Sequence, residues 1–365
     1  MDREEAGGEP VTAPRPATVR EDELRRLSRS PRKVASYLGD PYVRAGLREL
    51  PPELVLPVTV AVLKPEAVAG RRLERALRAL DVRGFDVVGA WRFRFGVMLI
   101  RELWRYQFTN ATEDKVDLVD RILTSGDSLL LVLRDRTWTP AGPPAAARLS
   151  GVKGSADPRK RSGSEIRAEL AGPSVLLNFV HSADEPADVV RELAMLESAT
   201  GLPVLGAVRR PGRVPGARLR ALAGELYEQC PPHDLDEDAS WARLAGCPHE
   251  PLAAAAMVRQ AARQAARQSA RQAARQAARQ SASQAASQVA RRSDRQAASP
   301  VSGWPGQQEA WTRIRHLLRA PGPPGDVLWD VLTVAAATIE LSVPGLSVAL
   351  DTVGAAPWQV SAVIR

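Results

Sequence analysis

Apolar runs and amphipathic stretches alternate regularly between Pro57 and about Gly206. "VTVAVLK" is an unbroken run of β-branched and apolar residues, the texture of a strand buried on both faces. In the stretch that follows, Leu73, Ala76, Leu77 and Leu80 fall at the i, i+3, i+4, i+7 positions of an amphipathic helix. Gly84 breaks that helix, and "FDVVGAWRFRF" alternates as a second strand. Helical pieces are predicted around Met98–Tyr106 and Lys115–Thr124, and "SLLLVLRD" reads as a third strand. Short helices at Ala145–Leu149 and Ser164–Leu170 flank a basic loop, "VKGSADPRKRSGS". "SVLLNFV" is predicted as a fourth strand and "PADVVRELAMLESA" as a closing helix. This order predicts an α+β fold of the split βαβ, ferredoxin-like type, with a four-stranded antiparallel sheet and helices packed on it.

The flanks have a different texture. Residues 1–20 mix charge, Gly and Pro, a composition expected to be disordered. Short amphipathic pieces around Leu24, Leu27, Val34, Tyr37 and Leu38 predict a helical continuation, so that 1–56 forms an N-terminal extension to a 57–206 domain. Residues 207–253 are Pro- and Arg-rich with a helix near Leu219–Tyr227, 254–299 is a low-complexity "AARQ" repeat, and 300–365 is a tail with one apolar segment. Ala, Gln and Arg all favour helix, so the repeat predicts a long one. Each four-residue step advances about 400°, so successive arginines wind around the axis by about 40° and mark no single face. No large apolar residue follows that line, so a coiled-coil seam is not expected.

Composition adds little until its location is considered. The chain has 365 residues, 44% hydrophobic but only 5% aromatic, with a formal net charge of +8. A basic chain favours acidic partners such as nucleotides, nucleic acid or anionic surfaces. Much of the charge lies in the repeat, where it predicts either a salt-sensitive contact with nucleic acid or a solvated spacer. The longest apolar stretch, Leu332 to Leu350, contains Glu340 and Pro344 and reads as core, not as a membrane span. The acidic, polar start is unlike a signal peptide, and a cytoplasmic location is expected. Two cysteines make no disulfide scaffold. Cys230, His233, Cys247 and His249 are of zinc-ligand type but match no common finger spacing; no metal site is assigned. His316 reads as a helix-surface residue.

The chemistry concentrates in "NFVHSAD". If the strand ends at Phe179 or Val180, a twist brings Asn178 and His181 to one rim. A histidine at a strand end is free to serve as a nucleophile or a general acid/base. Lys64 stands at the end of the first strand, before Pro65, and Glu192 follows the histidine by eleven residues on the closing helix.

These residues make the segment 57–200 resemble the nucleoside diphosphate kinase family. The resemblance rests on "LKPEAV" (Leu63–Val68), Gly84–Phe85, Tyr106, Ser125–Gly126, "AARLSG" (Ala146–Gly151), "GSEIRAEL" (Gly163–Leu170), "NFVHSAD" (Asn178–Asp184) and Glu192, in the family's order. It implies a phosphotransferase in which His181 takes the γ-phosphate of a nucleoside triphosphate and passes it to a nucleoside diphosphate. Lys64, Arg148 and Arg167 would then neutralise the phosphates, Asn178 would donate at the sugar end, Tyr106 would pack near the histidine and Glu192 would hold the imidazole. Mg²⁺ would arrive with the nucleotide, and a homo-oligomer is implied. The second reading is a degenerate nucleotide-binding or scaffold module whose basic arm meets nucleic acid or a protein.

Overall fold

The structure, a computed structural model, describes residues 21–248, 250–285, 307–319, 325, 327–350 and 356–359. The expectations for 1–20 and for the end of the repeat, 286–299, lie outside the described residues.

The chain opens with four short helices: α1 (Glu21–Leu27), α2 (Pro31–Tyr37), α3 (Pro41–Glu49) and α4 (Pro52–Val55). Prolines at the first turn start three of them, and Ser30 and Asp40 cap α2 and α3 with side-chain acceptors. Strand β1 (Val58–Leu63) leads through α5 (Pro65–Ala69) and α6 (Leu73–Val82) to β2 (Phe85–Phe93). Helices α7 (Val97–Leu103) and α8 (Glu113–Thr124) precede β3 (Ser128–Asp135). Then come α9 (Ala145–Lys153), α10 (Ile166–Glu169), β4 (Val180–Ser182) and α11 (Pro186–Thr200). The sheet order is β2-β3-β1-β4 with every pairing antiparallel, which is the ferredoxin-like arrangement.

Both faces of this sheet are covered. Ala61 and Leu63 of β1 join Leu129, Leu131 and Leu133 of β3 in one core with α6 and α9. Val58, Val60 and Val62 join Leu130 and Val132 in a second core with α11 and the N-terminal helices. Burial on two faces is why β1 and β3 carry apolar runs rather than an alternating pattern.

The remaining elements among the described residues are helices: α12 (Val204–Arg209), α13 (Gly216–Glu228), α14 (Glu237–Ala245), α15 (Glu250–Ala285), α16 (Gln307–Arg319), α17 (Leu328–Thr338) and α18 (Ala356–Gln359). Helix α15 contains the first part of the repeat, to Ala285, and, at 36 residues, is about 54 Å long. Its first arginines are held within the protein: Arg259 bridges to Asp238 at 2.8 Å and Arg263 to the same carboxylate at 2.6 Å. Among the described residues no helix is long and apolar enough to cross a membrane.

The fourth strand differs from the sequence expectation. "SVLLNFV" is irregular up to Phe179, and β4 begins only at Val180. Leu176, Leu177, Phe179 and Val180 all bury into the same core instead of alternating between faces. The chain manages this by placing Phe179 at φ +70°, a conformation costly for a bulky residue. Backbone bonds from Val180 to Asn178 (2.8 Å) and from Lys64 to Phe179 (3.0 Å) fix it there. His181 is therefore inside the strand, opposite Val62, and not beyond its end.

The N-terminal helices are bound to α11 by buried charge. Lys33 lies 2.8 Å from Asp188 and 3.0 Å from Glu185. Burial works to lower the Lys33 pKa, but the two carboxylates overcome it and raise it above the usual lysine range. Arg191, fully buried on α11, donates to Asp40 at 2.8 Å and to the Glu102 carboxylate at 2.5 Å. At Gly46, α3 approaches α11 so closely that an added Cβ would lie 2.6 Å from Val190 Cγ1 and 2.7 Å from the Val190 carbonyl oxygen. Gly46→Ala is expected to destabilise the protein by about 1–3 kcal/mol through overpacking, less up to about 1 kcal/mol of helix propensity gained. A lower urea midpoint at unchanged m-value checks this; an equal or higher midpoint refutes the close approach.

Candidate active site

His181 lines a cavity of about 160 Å³ with Lys64, Trp104, Phe108, Lys115, Arg167 and Asn178. The volume is below the ~300–1,000 Å³ of sites that enclose a drug-sized ligand. The imidazole is 15% exposed, and its Nε2 lies 2.9 Å from a Glu192 carboxylate oxygen. A carboxylate only accepts, so this contact puts the ring proton on Nε2 and the lone pair on Nδ1. Trp104, just past the end of α7, meets the imidazole edge-on with ring centroids 5.0 Å apart.

Two of the cations lining this cavity, Lys64 and Arg167, have partners of their own, as does Lys153 near the turn after β4. Lys64 follows β1 as the N-cap of α5 and pairs with Glu66 at 2.6 Å; it also donates to the Leu176 carbonyl at 3.0 Å. Burial lowers its pKa, with Glu66 opposing. Arg167 donates from Nε and Nη2 to the Val180 carbonyl and from Nη1 to that of Gly154. Burial brings its pKa down to about 10. Lys153, at the end of α9, donates to Ser182 Oγ at 2.8 Å and to Asp184 at 3.2 Å, and burial lowers its pKa as well. Burial alone would raise the Asp184 pKa, but the Lys153 charge, the Ser150 hydroxyl and the Lys33 charge hold it well below the usual carboxylate range.

The structure gathers His181, Glu192, Lys64, Arg167 and Asn178 of the residues expected from the sequence. Asn178 Nδ2 donates to the Val175 carbonyl at 2.7 Å, and its Oδ1 is buried with no hydrogen-bond partner. The structure does not bring Arg148 or Tyr106 to this cavity. Arg148 donates to Asp135 at 2.6 Å and stacks over Phe85 at 4.0 Å. Asp135 lies at the end of β3 beside Pro57 and Val58, opposite the sheet end where His181 pairs with Val62. A buried acid and an aromatic face hold this guanidinium more firmly than an open cleft would. Tyr106 lies 5.8 Å from the Tyr37 ring, and Arg191 sits over it at 5.4 Å. Trp104, two residues earlier, takes the place beside the histidine.

Sequence reasoning missed Glu66 and Trp104 and left Lys153 among loop charges. The signal for Glu66 was present: an acid two residues after a lysine at a strand-to-helix turn. Among the described residues, the Cys/His pairs contribute to no group of three or more metal-type ligands. His233 accepts from the Leu235 amide at Nδ1 (3.0 Å) and meets Asp330 at Nε2 (2.9 Å), which leaves no ring nitrogen for a metal. His249 and the His316 side chain lie outside the described residues.

Residues 58–200 match the family model described as nucleoside diphosphate kinase. Thioredoxin domain-containing protein 6 of Homo sapiens is 26% identical over 182 residues, 49% of this chain and 52% of that protein. The chain thus spans about half the length of this relative. The nucleoside diphosphate kinase of Legionella pneumophila (strain Paris) is 29% identical over 139 residues, 38% of this chain and 89% of that protein. The crystal structure of the Aquifex aeolicus nucleoside diphosphate kinase aligns at 22% identity and a TM-score of 0.33, covering 38% of this chain and 93% of that one.

Asp184 generates a prediction with a definite sign. A depressed carboxylate lends stability above its unfolded pKa, near 4, and that contribution fades as pH falls through and below this value. Asp184→Asn is expected to lower stability at pH 7 by about 3–5 kcal/mol, because buried Lys153 loses its counter-charge, and to flatten the acid limb below about pH 4. Urea unfolding of both proteins across pH 2–7 checks it; parallel limbs would mean that the carboxylate titrates normally.

Proposed function

We propose that residues 58–200 act as a nucleoside diphosphate kinase-type phosphotransferase with His181 as the phosphate carrier. What carries the reading is the imidazole whose Nε2 is bound by Glu192 and whose Nδ1 has no hydrogen-bond partner among the described residues, in a cavity lined by cations. The Nδ1 lone pair attacks the γ-phosphorus, an N–P bond forms, and the bond from that phosphorus to the β-bridging oxygen breaks. The nucleoside diphosphate leaves with the electron pair. In the second half a terminal oxygen of another nucleoside diphosphate attacks the phosphohistidine, and the N–P bond breaks in turn. Glu192 stabilises the positive charge that grows on the ring. Lys64 and Arg167 provide the fixed positive field that phosphoryl transfer requires.

Mg²⁺ enters this scheme as part of the substrate, held by phosphate oxygens and water. The nearby carboxylates of Glu66 and Asp184 are engaged by Lys64 and Lys153, and the described residues hold no group of three or more metal-type ligands.

Incubation with γ-labelled ATP is expected to leave an acid-labile, base-stable label on the wild-type protein and none on His181→Ala. A folded wild-type protein that takes up no label would overturn the proposal in favour of a binding module. Glu192→Gln can turn its amide toward Nε2 and favour the opposite tautomer, which places the proton on Nδ1. Labelling is expected to slow by about 10²-fold with the label still on His181, the scale of a misoriented reacting group. An unchanged rate would show that Glu192 does not set the tautomer.

A further inference from the structure

The charges lining the cavity differ in how far the protein itself neutralises them. Lys64 has Glu66 at 2.6 Å, and Arg167 has two backbone carbonyls. Lys115 lines the same cavity, half-buried, and its ammonium meets no carboxylate or other hydrogen-bond acceptor among the described residues. The acids beside it in the chain are turned to other work. Asp114 takes Arg315 Nε at 2.7 Å and Trp311 Nε1 at 2.6 Å, both from α16, and Glu113 is exposed with Arg315 at 3.9 Å. Asp117 faces Arg101 at 3.9 Å.

The position is unfavourable for a lone cation in two ways. Lys115 sits in the first turn of α8, where the helix dipole repels positive charge. Burial also depresses its pKa with no counter-charge opposing. An anion bound in the cavity removes both penalties at once. An uncharged nucleoside removes neither, and a metal cation would add to them.

We infer that Lys115 is the anion-recognition residue of this cavity, the charge that no acceptor among the described residues meets and that the polyphosphate portion of a ligand neutralises. It is thus a specificity-determining residue favouring phosphate-bearing ligands over the corresponding nucleosides. For nucleotides the inference rests on the phosphotransfer reading above; for a bare polyphosphate it does not.

The test is calorimetric titration of the full chain, as wild type, Lys115→Met and Lys115→Arg, with tripolyphosphate, ADP and adenosine in parallel. Charge-assisted hydrogen bonds of this kind are strong, so Lys115→Met is expected to weaken tripolyphosphate and ADP by about tenfold or more. Lys115→Arg is expected to retain most of the affinity, and adenosine binding is expected to be the same for all three. Thermal unfolding without ligand provides the folding control: Lys115→Met should be at least as stable as the wild type, because an unpaired, half-buried charge has been removed. Equal tripolyphosphate affinity in the wild type and Lys115→Met overturns the inference, as does a wild type that binds no tripolyphosphate. Charge-dependent tripolyphosphate binding without label on His181 would remove the phosphotransfer reading and leave this one standing. Label on His181 with Lys115→Met binding unchanged would do the reverse.

Discussion

The site is governed by the need to keep several buried cations charged beside one imidazole. An ammonium or guanidinium removed from water without compensation loses its proton or destabilises the fold. Lys64 is paired with Glu66, Lys153 with Asp184, and Arg167 is held by the carbonyls of Val180 and Gly154. These partners come from different parts of the sheet layer: the α5 turn, the turn after β4, and β4 itself. The strand order that brings β4 against β1 is therefore what allows the cations to gather at all.

This explains which parts were legible beforehand. The sheet, its order and the helices α6, α8 and α11 follow from periodicity, because two covered faces leave strong apolar signals on β1 and β3. The Lys64, Asn178, His181 and Glu192 set could be read from short motifs and their spacing along the chain. The fourth strand could not be read correctly. Leu176, Leu177, Phe179 and Val180 look like a strand by composition, but they pack on one side through a backbone conformation that composition does not report.

The side-chain misassignments have a related cause. Arg148 belongs to a motif, but the motif says nothing of Asp135 and Phe85, which come from other strands and hold the guanidinium at the opposite sheet end. Tyr106 and Trp104 are two positions apart at the end of α7. Which of them faces the histidine depends on where the helix stops, and it stops at Leu103. Likewise, Lys115 reads as one more surface lysine until α16 is seen to occupy the neighbouring Asp114.

The contact between Asp40 and Arg191 has a practical outcome for anyone dissecting this chain. The family match begins at residue 58, yet one of the two acids that balance Arg191 lies eighteen positions before it, and Arg191 adjoins the carboxylate bound to the imidazole. A fragment trimmed to the matched borders would leave Arg191 with Glu102 alone and uncover the face of α11 that the N-terminal helices bury, one residue from Glu192. Silence from such a fragment would speak to the trimming rather than to the chemistry, so the smallest honest unit for enzymology includes the helices that come before the sheet.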